Sequence, residues 1–470
     1  MSTPNPQLAG RLTDRVPFQS DMSVSDAPAT VTGVIPDWLC GQLVRTASAC
    51  FETDAWQAKH WFDGLGMLYS FRIAPRQQVT FRQRSLKTLT SEKPHKRLSF
   101  GTPMQRGFFE RLLSPIPPGS DNPNVHVLRY GDDLIATSET RLQWVIDPET
   151  LEAKKHLEWS DDEKMLMLAH PQYDAQRKVI VNVSAEFGRT SRLRVIEHEP
   201  NGRVRRKLGF WPLSRVPYLH SFGLTAQYAV LFGGPLEVNP LSLLFSNKGY
   251  IDHFKWAPHQ GTRIAVIDRA TGVLREHTCR ALFTFHVINS FEEKDAVVID
   301  LVAYENDPVH ALSVASLTNG FPTLGSKAVR LRLKPGVEEA EVRELSDQTF
   351  ELPAIASRHA GLPYRTMWGV HLFAVEGRNV TRLVKIDATT GKAQFAEDTA
   401  YLYGEPVFVR RPGSTGEQDG VLLTVGSHRS ERKGALNILD AATLESIALA
   451  EVPLPLPLGF HGSFLADRAG

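Results

Sequence analysis

The sequence predicts an all-β fold made of repeated antiparallel units, the pattern of a β-propeller. Three observations carry this. The 470 residues include 34 Gly and 30 Pro, a turn-rich composition that suits short strands better than long helices. From Gly41 onward the chain alternates apolar runs with turn residues. A motif also recurs: VIDPETLEA from Val145, VIDRATGVL from Val266, KIDATTGKA from Lys385 and ILDAATLES from Ile438. Each copy is an apolar strand, an Asp, a polar turn carrying Thr and a second strand. The Asp can cap the turn by accepting backbone N–H groups two residues on.

The repeated Asp residues stand at 147, 268, 387 and 440, so they are 121, 119 and 53 residues apart. A looser copy, VIEHEPNGRV from Val195, falls where the first gap would be halved. The resulting period is about 50–60 residues, the length of one propeller blade. A linear array of β-sandwiches is the competing architecture, but such an array does not converge on one centre.

Taken in order, residues 1–30 read as an arm, and the first 35 residues show little periodicity. Residues 31–470 read as a single β-propeller domain with insertions. GQLVRTA and MLYSFRIAP are the first strands expected. Between Leu98 and Asn124, Phe108, Phe109, Leu112 and Leu113 share one face of a short helix stopped by prolines 115, 117 and 118. That face suits the core, with a membrane interface as the alternative. Residues 235–256 interrupt the strand rhythm with Leu241, Leu244 and Phe245 among lysines. They suit either a rim loop or an interface anchor, so residues 108–118 and 241–256 are the candidate membrane contacts. FTFHVINSFEE, Phe283 to Glu293, reads as a strand paired with AVVIDLVAY across a turn at Glu292–Lys294.

Charge is balanced, with 53 basic and 52 acidic residues, which gives no reason to expect a nucleic-acid partner. No protein partner is indicated. Three cysteines, Cys40, Cys50 and Cys279, provide no disulfide framework and no CxxC metal motif. The N-terminus lacks the apolar core of a signal peptide, and no apolar run is long enough to span a bilayer. The expected location is the cytoplasm, with a peripheral membrane position as the alternative.

Of the 16 histidines, His95, His156, His198, His253, His277, His359 and His428 have polar neighbours and read as solvated. Nine remain: His60, His126, His170, His220, His259, His286, His310, His371 and His461. Spacing does not select among them, because no pair has the i, i+4 pattern of a helical metal site. Local context adds a resemblance. LMLAHPQYD, VPYLHSFGLT, FTFHVINSFEE and PLGFHGSF are similar to the four iron-ligand motifs of the carotenoid cleavage oxygenases. HWFDGLGMLYSF and YGEPVFVRRP resemble other signatures of that family, and the likeness runs from about residue 30 to the C-terminus. SDNPNVHVL and FELPAIASRHAGLPY resemble its animal branch, which holds β-carotene central-cleavage oxygenases and the retinoid isomerohydrolase.

The resemblance implies a seven-bladed propeller with loops and short helices forming a cap over one axial Fe(II) per chain. It maps His170, His220, His286 and His461 onto the iron ligands, which are also the catalytic set. It maps Glu139, Glu351 and Glu405 onto the carboxylates that orient them. Phe51, Phe100, Tyr304 and Phe460 are the implied substrate-binding wall, each equally suited to ordinary core. The implied reaction adds O2, the co-substrate, across a conjugated C=C bond of an apolar polyene to give two carbonyl products. Isomerohydrolase and stilbene-cleaving chemistry on the same scaffold are the alternatives, as is a non-catalytic scaffold. Two departures bear on these. Phe100-Gly-Thr is followed by PMQRGFF rather than the animal branch's cysteine-containing motif, and Ser120 stands where stilbene-cleaving relatives place a lysine.

Overall fold

The computed structural model describes residues 25–160, 166–188, 190–317, 322, 324–375 and 378–467. The fold is all-β, with only short helices among the described residues. Seven sheets have four or more strands, each an antiparallel meander of consecutive chain segments. In four of them every strand is sequential, and in a fifth two strands of a separate small sheet are inserted between the second and third. The first sheet instead pairs Gly41–Cys50 with the C-terminal strand Gly459–Ala466, and the last takes in Thr30–Gly33 beside Ser446–Val452. The two chain ends are thus stitched into neighbouring sheets by backbone hydrogen bonds.

The four repeats mark the same place in four sheets, the hairpin from third to fourth strand. Asp147 Oδ1 accepts from the N–H groups of Glu149 and Thr150 at 2.8 and 2.9 Å. Asp268, Asp387 and Asp440 repeat the same pair of bonds two and three residues on, at 2.8–2.9 Å. The looser copy keeps the hairpin but not the cap. Its Glu197 is buried and pairs with Arg269 at 3.1 Å.

Apolar side chains on both faces of the middle strands pack each sheet against its neighbours. Val44 and Leu68 of the first sheet meet Val127 and Ala136 of the second. Tyr130 and Ile135 then meet Ile180 of the third. One large cluster joins the third to the sixth sheet, and Trp368 and Leu383 of the sixth meet Leu422 of the seventh. Leu423 and Leu436 of the seventh return to Leu43 and Phe71 of the first. This continuous apolar burial is the main stabilising term.

Several expectations are corrected. Part of the arm is ordered: Asp26–Pro28 pairs with Gln78–Ser85 and Thr30–Gly33 with Ser446–Val452, while residues 1–24 lie outside the described residues. The helix Phe108–Leu113 forms, but its apolar face points outward: Phe109 is 76 % and Leu113 85 % exposed. Amphipathic spacing defines a face without saying what covers it. In residues 235–256, Ile251 and Phe254 are buried, whereas Leu241, Leu244 and Phe245 are exposed. His198 and His277 are buried rather than solvated. His198 lies between Tyr130 and Trp159, with Nδ1 donating to the Glu199 carbonyl, and burial pushes its pKa down to about 4. The strand after Phe283 starts only at Val287, and its turn falls at Lys294–Asp295, because Glu293 still pairs with Ala296.

Among the described residues no helix is long and apolar enough to cross a membrane.

Candidate metal centre

His170, His220, His286 and His461 converge, with one nitrogen from each lying within 4.8 Å of the others. Each lies in or beside the edge strand of a different sheet. His461 is in Gly459–Ala466, His170 sits between Leu166–Met167 and Gln172–Asp174, His220 precedes Gly223–Leu224, and His286 precedes Val287–Glu293. Backbone contacts fix two of these positions tightly. Ser221 Oγ donates to the Phe285 carbonyl at 2.6 Å and accepts from Val287 N–H at 2.9 Å, clamping both flanks of His286. Thr46 Oγ1 lies 3.0 Å from the Val125 carbonyl and 3.1 Å from that of His461, whose own N–H donates to Val125.

Three carboxylates turn three imidazoles. His220 Nδ1 meets Glu139 Oε1 at 2.6 Å, His286 Nδ1 meets Glu351 Oε2 at 2.6 Å, and His461 Nδ1 meets Glu405 Oε1 at 2.7 Å. A carboxylate only accepts, so each Nδ1 carries the proton and each Nε2 presents a lone pair inward. The glutamates are held in turn. The Tyr218 hydroxyl donates to Glu139 Oε1 at 2.8 Å, and the Tyr304 hydroxyl donates to Glu351 Oε1. Arg45 Nη1 stands 3.5 Å from Glu405 Oε2, which also accepts the Gly462 N–H at 3.0 Å. Leu352, at φ 49°, turns its N–H onto Glu351.

Burial raises the Glu405 pKa against the pull of Arg45. Burial also acts to raise that of Glu351, but His286 and the hydrogen bonds around it win, so the net direction is down. His170 and His461 are pushed well below the usual imidazole range, first by burial and then by the neighbouring imidazoles. Those two rings are therefore neutral ligands.

The donor set fits a divalent metal ion. Nε2 of His286 and Nε2 of His461 are 3.1 Å apart, with both lone pairs facing. Nε2 of His170 and Nε2 of His220 are 3.0 Å apart. Facing lone pairs repel, and a cation between them removes the repulsion. First-row metal–imidazole bonds of about 2.1 Å put adjacent nitrogens roughly 3 Å apart. Three carboxylates against one buried guanidinium leave two negative charges, the complement of a divalent ion.

A cavity of about 220 Å³ opens onto His220, His286 and His461, well beyond the room one water needs. Its wall is aromatic. Phe62 packs against Phe100 at 5.1 Å and Phe460 at 5.3 Å, and Trp61 packs against Phe460 at 4.9 Å. Phe100, Tyr304 and Phe460 line the cavity, with Tyr304 also holding Glu351. Phe51 does not line it; the residue is buried in the core, and its ring would meet a Cβ at Gly64. The HWFDGLG segment braces the wall. His60 Nε2 bonds the Val309 carbonyl, and Asp63 accepts from the N–H of Gly101 and the hydroxyl of Thr102.

Residues that sequence reasoning missed are Arg45, Tyr218 and Ser221, which hold the carboxylates and the backbone. His126 had no selecting signal. Its ring lies 5.3 Å from that of His170 and 5.4 Å from that of His461, and burial pushes its pKa down to about 4. Glu292 accepts from Thr225 and from Gln227 N–H, away from the histidines.

Comparison with known proteins gives the family. The chain is 28 % identical over 526 aligned positions to the human mitochondrial carotenoid-cleaving dioxygenase, covering 94 % of this chain and 90 % of the relative. It is 28 % identical over 513 positions to human beta,beta-carotene 15,15'-dioxygenase (93 % and 92 % covered). It is 29 % identical over 485 positions to a carotenoid isomerooxygenase of Galleria mellonella (93 % of each). Its fold superposes on a cobalt-substituted Synechocystis ACO with a TM-score of 0.85, covering 98 % of this chain and 99 % of that one at 24 % identity. The profile described as "Retinal pigment epithelial membrane protein" matches residues 17–466, so the chain belongs to that family, the carotenoid cleavage oxygenases.

Proposed function

We propose that this chain is an iron(II) dioxygenase that cleaves one conjugated C=C bond of a carotenoid or apocarotenoid with O2 to give two carbonyl products. The observation that carries the proposal is the convergence of four neutral imidazoles, three of them steered by carboxylates, at the wall of an aromatic cavity. His170, His220, His286 and His461 would hold one Fe(II), and Glu139, Glu351 and Glu405 would orient the rings. The iron, when bound, would supply dioxygen activation beside the polyene. The chain's own residues do the rest. The aromatic wall holds the polyene in register and excludes water, so the choice of bond is a positioning effect. Aromatic faces also stabilise positive charge developing along the polyene.

The proposal extends to architecture and location. The seven sheets are taken as propeller blades, because each packs on the next and the seventh on the first, with residues 31–470 as one catalytic unit under a cap of loops. The exposed faces of residues 108–118 and 241–256 are taken as one membrane-contacting patch. Phe245 N–H bonds the Pro115 carbonyl at 3.1 Å, and Arg106 bonds the Ser246 carbonyl, so the two segments move together. The patch adjoins the cavity, since Tyr250 N–H bonds the carbonyl of Ser99, a lining residue. An apolar substrate could then pass from bilayer to cavity without crossing water. The free thiols of Cys40, Cys50 and Cys279 suit the cytoplasm.

The test is turnover of β-carotene or an apocarotenal by iron-loaded protein under isotopically heavy dioxygen. Labelled aldehydes are expected; intact substrate, or ester cleavage instead, would sink the proposal. His286→Ala is expected to lose both stoichiometric iron, measured by elemental analysis, and turnover.

A further inference from the structure

The cavity is not confined to its aromatic wall. Leu352, Val370, Leu372 and Thr381 of the sixth sheet line it as well, with Tyr403 of the seventh and Leu458 just before the C-terminal strand. Leu372 pairs with Thr381 and Val370 with Leu383, so these four side chains share one face. That face is turned to the seventh sheet. Val370 and Leu383 cluster with Tyr403 and Leu422, and the Thr381 hydroxyl donates to the Tyr403 carbonyl at 2.8 Å. Thr381 stands on the third strand from the axis. Strands lie about 4.8 Å apart, so the cavity runs roughly 10 Å outward from the axial strand into the seam between the two sheets.

The chemistry of the seam is apolar. The Thr381 proton is committed to Tyr403, and the Tyr403 hydroxyl donates to Asp398 while accepting from Asn437 Nδ2 at 2.9 Å. Glu351 and Glu405, at the axial end, spend their oxygens on His286, Tyr304, His461 and Gly462. Among the described residues the seam therefore has no free side-chain donor, and its surface is the methyl groups of Leu352, Val370, Leu372 and Leu458. A water needs several polar partners, whereas an apolar cavity stays dry and takes up small apolar guests such as xenon. The seam is also slim. Beside it Trp368 stacks on Phe408 at 4.9 Å with ring planes 8° apart, and its Nε1 donates to the Ala441 carbonyl at 2.9 Å, so the two sheets stay in contact. The ring end of a polyene is too thick for a gap between sheets in contact; a diatomic gas is not.

Position adds a second argument. Sheets one, three, four and five each bring an imidazole to the centre. The neighbouring sixth and seventh bring only Glu351 and Glu405, which face Nδ1 atoms. The seam thus meets the centre at the widest gap between ligands. A polyene lying against Phe62, Phe100 and Phe460 leaves it free, so both reactants can be present together.

We infer that the seam between the sixth and seventh sheets, walled by Val370, Leu372 and Leu458, is a holding pocket for dioxygen, apart from the part of the cavity that takes the polyene. This rests on the dioxygenase reading above.

The test has a structural arm and a kinetic one, both on the iron-loaded full-length chain. Crystals pressurised with xenon are expected to show the gas between Val370, Leu372 and Leu458, and to lose it in Val370→Phe, which fills the gap. Val370→Ile, one methylene larger than the parent, replaces that variant if it does not fold, with an effect in the same direction. Turnover of β-apo-8'-carotenal is then followed against oxygen concentration. In Val370→Phe kcat/KM for oxygen is expected to fall about 10-fold, the penalty for forcing a guest into an overfilled core gap, with KM for the polyene unchanged. Dissolved xenon is expected to raise KM for oxygen in the unmodified chain and not in the variant. A seam without xenon, or the same oxygen dependence in both chains, would overturn the pocket. A changed polyene KM or a shifted cleavage position, with oxygen dependence intact, would assign the seam to the polyene and overturn it too. Xenon in the seam without cleavage of any polyene would instead overturn the dioxygenase reading alone.

Discussion

Replacing each carboxylate of the centre by its amide should weaken metal binding unequally, and the hydrogen-bond pattern sets the order. A Gln side chain keeps one accepting oxygen and turns the other into an NH2 donor. At Glu139 both the His220 and Tyr218 donors fall on Oε1, so the amide oxygen can serve both and only charge is lost. At Glu351 the His286 and Leu352 donors fall on Oε2 and Tyr304 on Oε1. The amide NH2 then faces the tyrosine, whose hydroxyl can rotate and accept. At Glu405 the two oxygens face His461 Nδ1 on one side and the Gly462 N–H with Arg45 on the other. None of these can become an acceptor while His461 ligates, so the NH2 must oppose a donor. Losing a charged partner of a ligating histidine costs about 10-fold in metal affinity. A buried donor left unpaired adds about 1–3 kcal/mol, or roughly another 5- to 100-fold. Glu139→Gln and Glu351→Gln should therefore bind metal about 10-fold more weakly than the unmodified chain, and Glu405→Gln about 50-fold or more. Anaerobic titration of apoprotein against a chelator, with Co(II) absorption as the signal, measures this directly. Three equal dissociation constants, or an unimpaired Glu405→Gln, would refute the reasoning.

Two further outcomes follow from surface and buried charge. Phe109→Glu/Leu113→Glu removes two exposed apolar anchors and adds negative charge, so co-sedimentation with anionic vesicles should fall at least 10-fold; binding equal to that of the parent would remove the patch as a membrane contact. Asp121 is held at about 2 against 3.8 for its ordinary value, so the stability it contributes is present above about pH 4 and is lost as pH falls toward 2. Because the shift is downward, Asp121→Asn should be less stable than the parent near neutrality, by at most about 2 kcal/mol, and the gap should close through that acid window. A gap that stays constant from pH 7 to 2 in urea unfolding would show that the charge is not responsible.

What could be read from the sequence was what local chemistry decides. The four Asp-turn repeats were legible because each cap spans two or three residues, and all four form as expected. The strands of Gly41–Cys50 and Leu65–Ala74 were legible from alternation and β-branched content. The histidine set was readable only through resemblance, since physics left nine candidates equal. Arg45 was not legible, because its bond to the Glu405 carbonyl joins residues 360 apart. Tyr218 reaches Glu139 across 79 residues, with an intervening sheet between them in the chain. His198 looked solvated because its chain neighbours are polar, yet its burial comes from Tyr130 of the preceding sheet and Trp159 just after that sheet.

The 175 residues between His286 and His461 look from the sequence like a gap in the ligand series. In the structure they hold two sheets whose edge strands carry carboxylates in the corresponding place. The edge strands of the seven sheets bear, at or next to one end, His461, His126, His170, His220, His286, Glu351 and Glu405. Glu351 follows His286 by 65 residues and Glu405 precedes His461 by 56, each close to one repeat. Each therefore meets an imidazole of the adjoining sheet. Neither edge strand adjoining that of His220 bears a carboxylate in the corresponding place, and His220 draws instead on Glu139, just past the second strand of the second sheet. The edge position of that sheet is taken by His126, a residue that burial keeps neutral. A carboxylate there would give the centre a fourth negative charge, against one guanidinium and a divalent ion. Buried charge without a partner is costly. A neutral ring at 126 leaves three carboxylates, one guanidinium and two positive charges on the metal, which sum to zero.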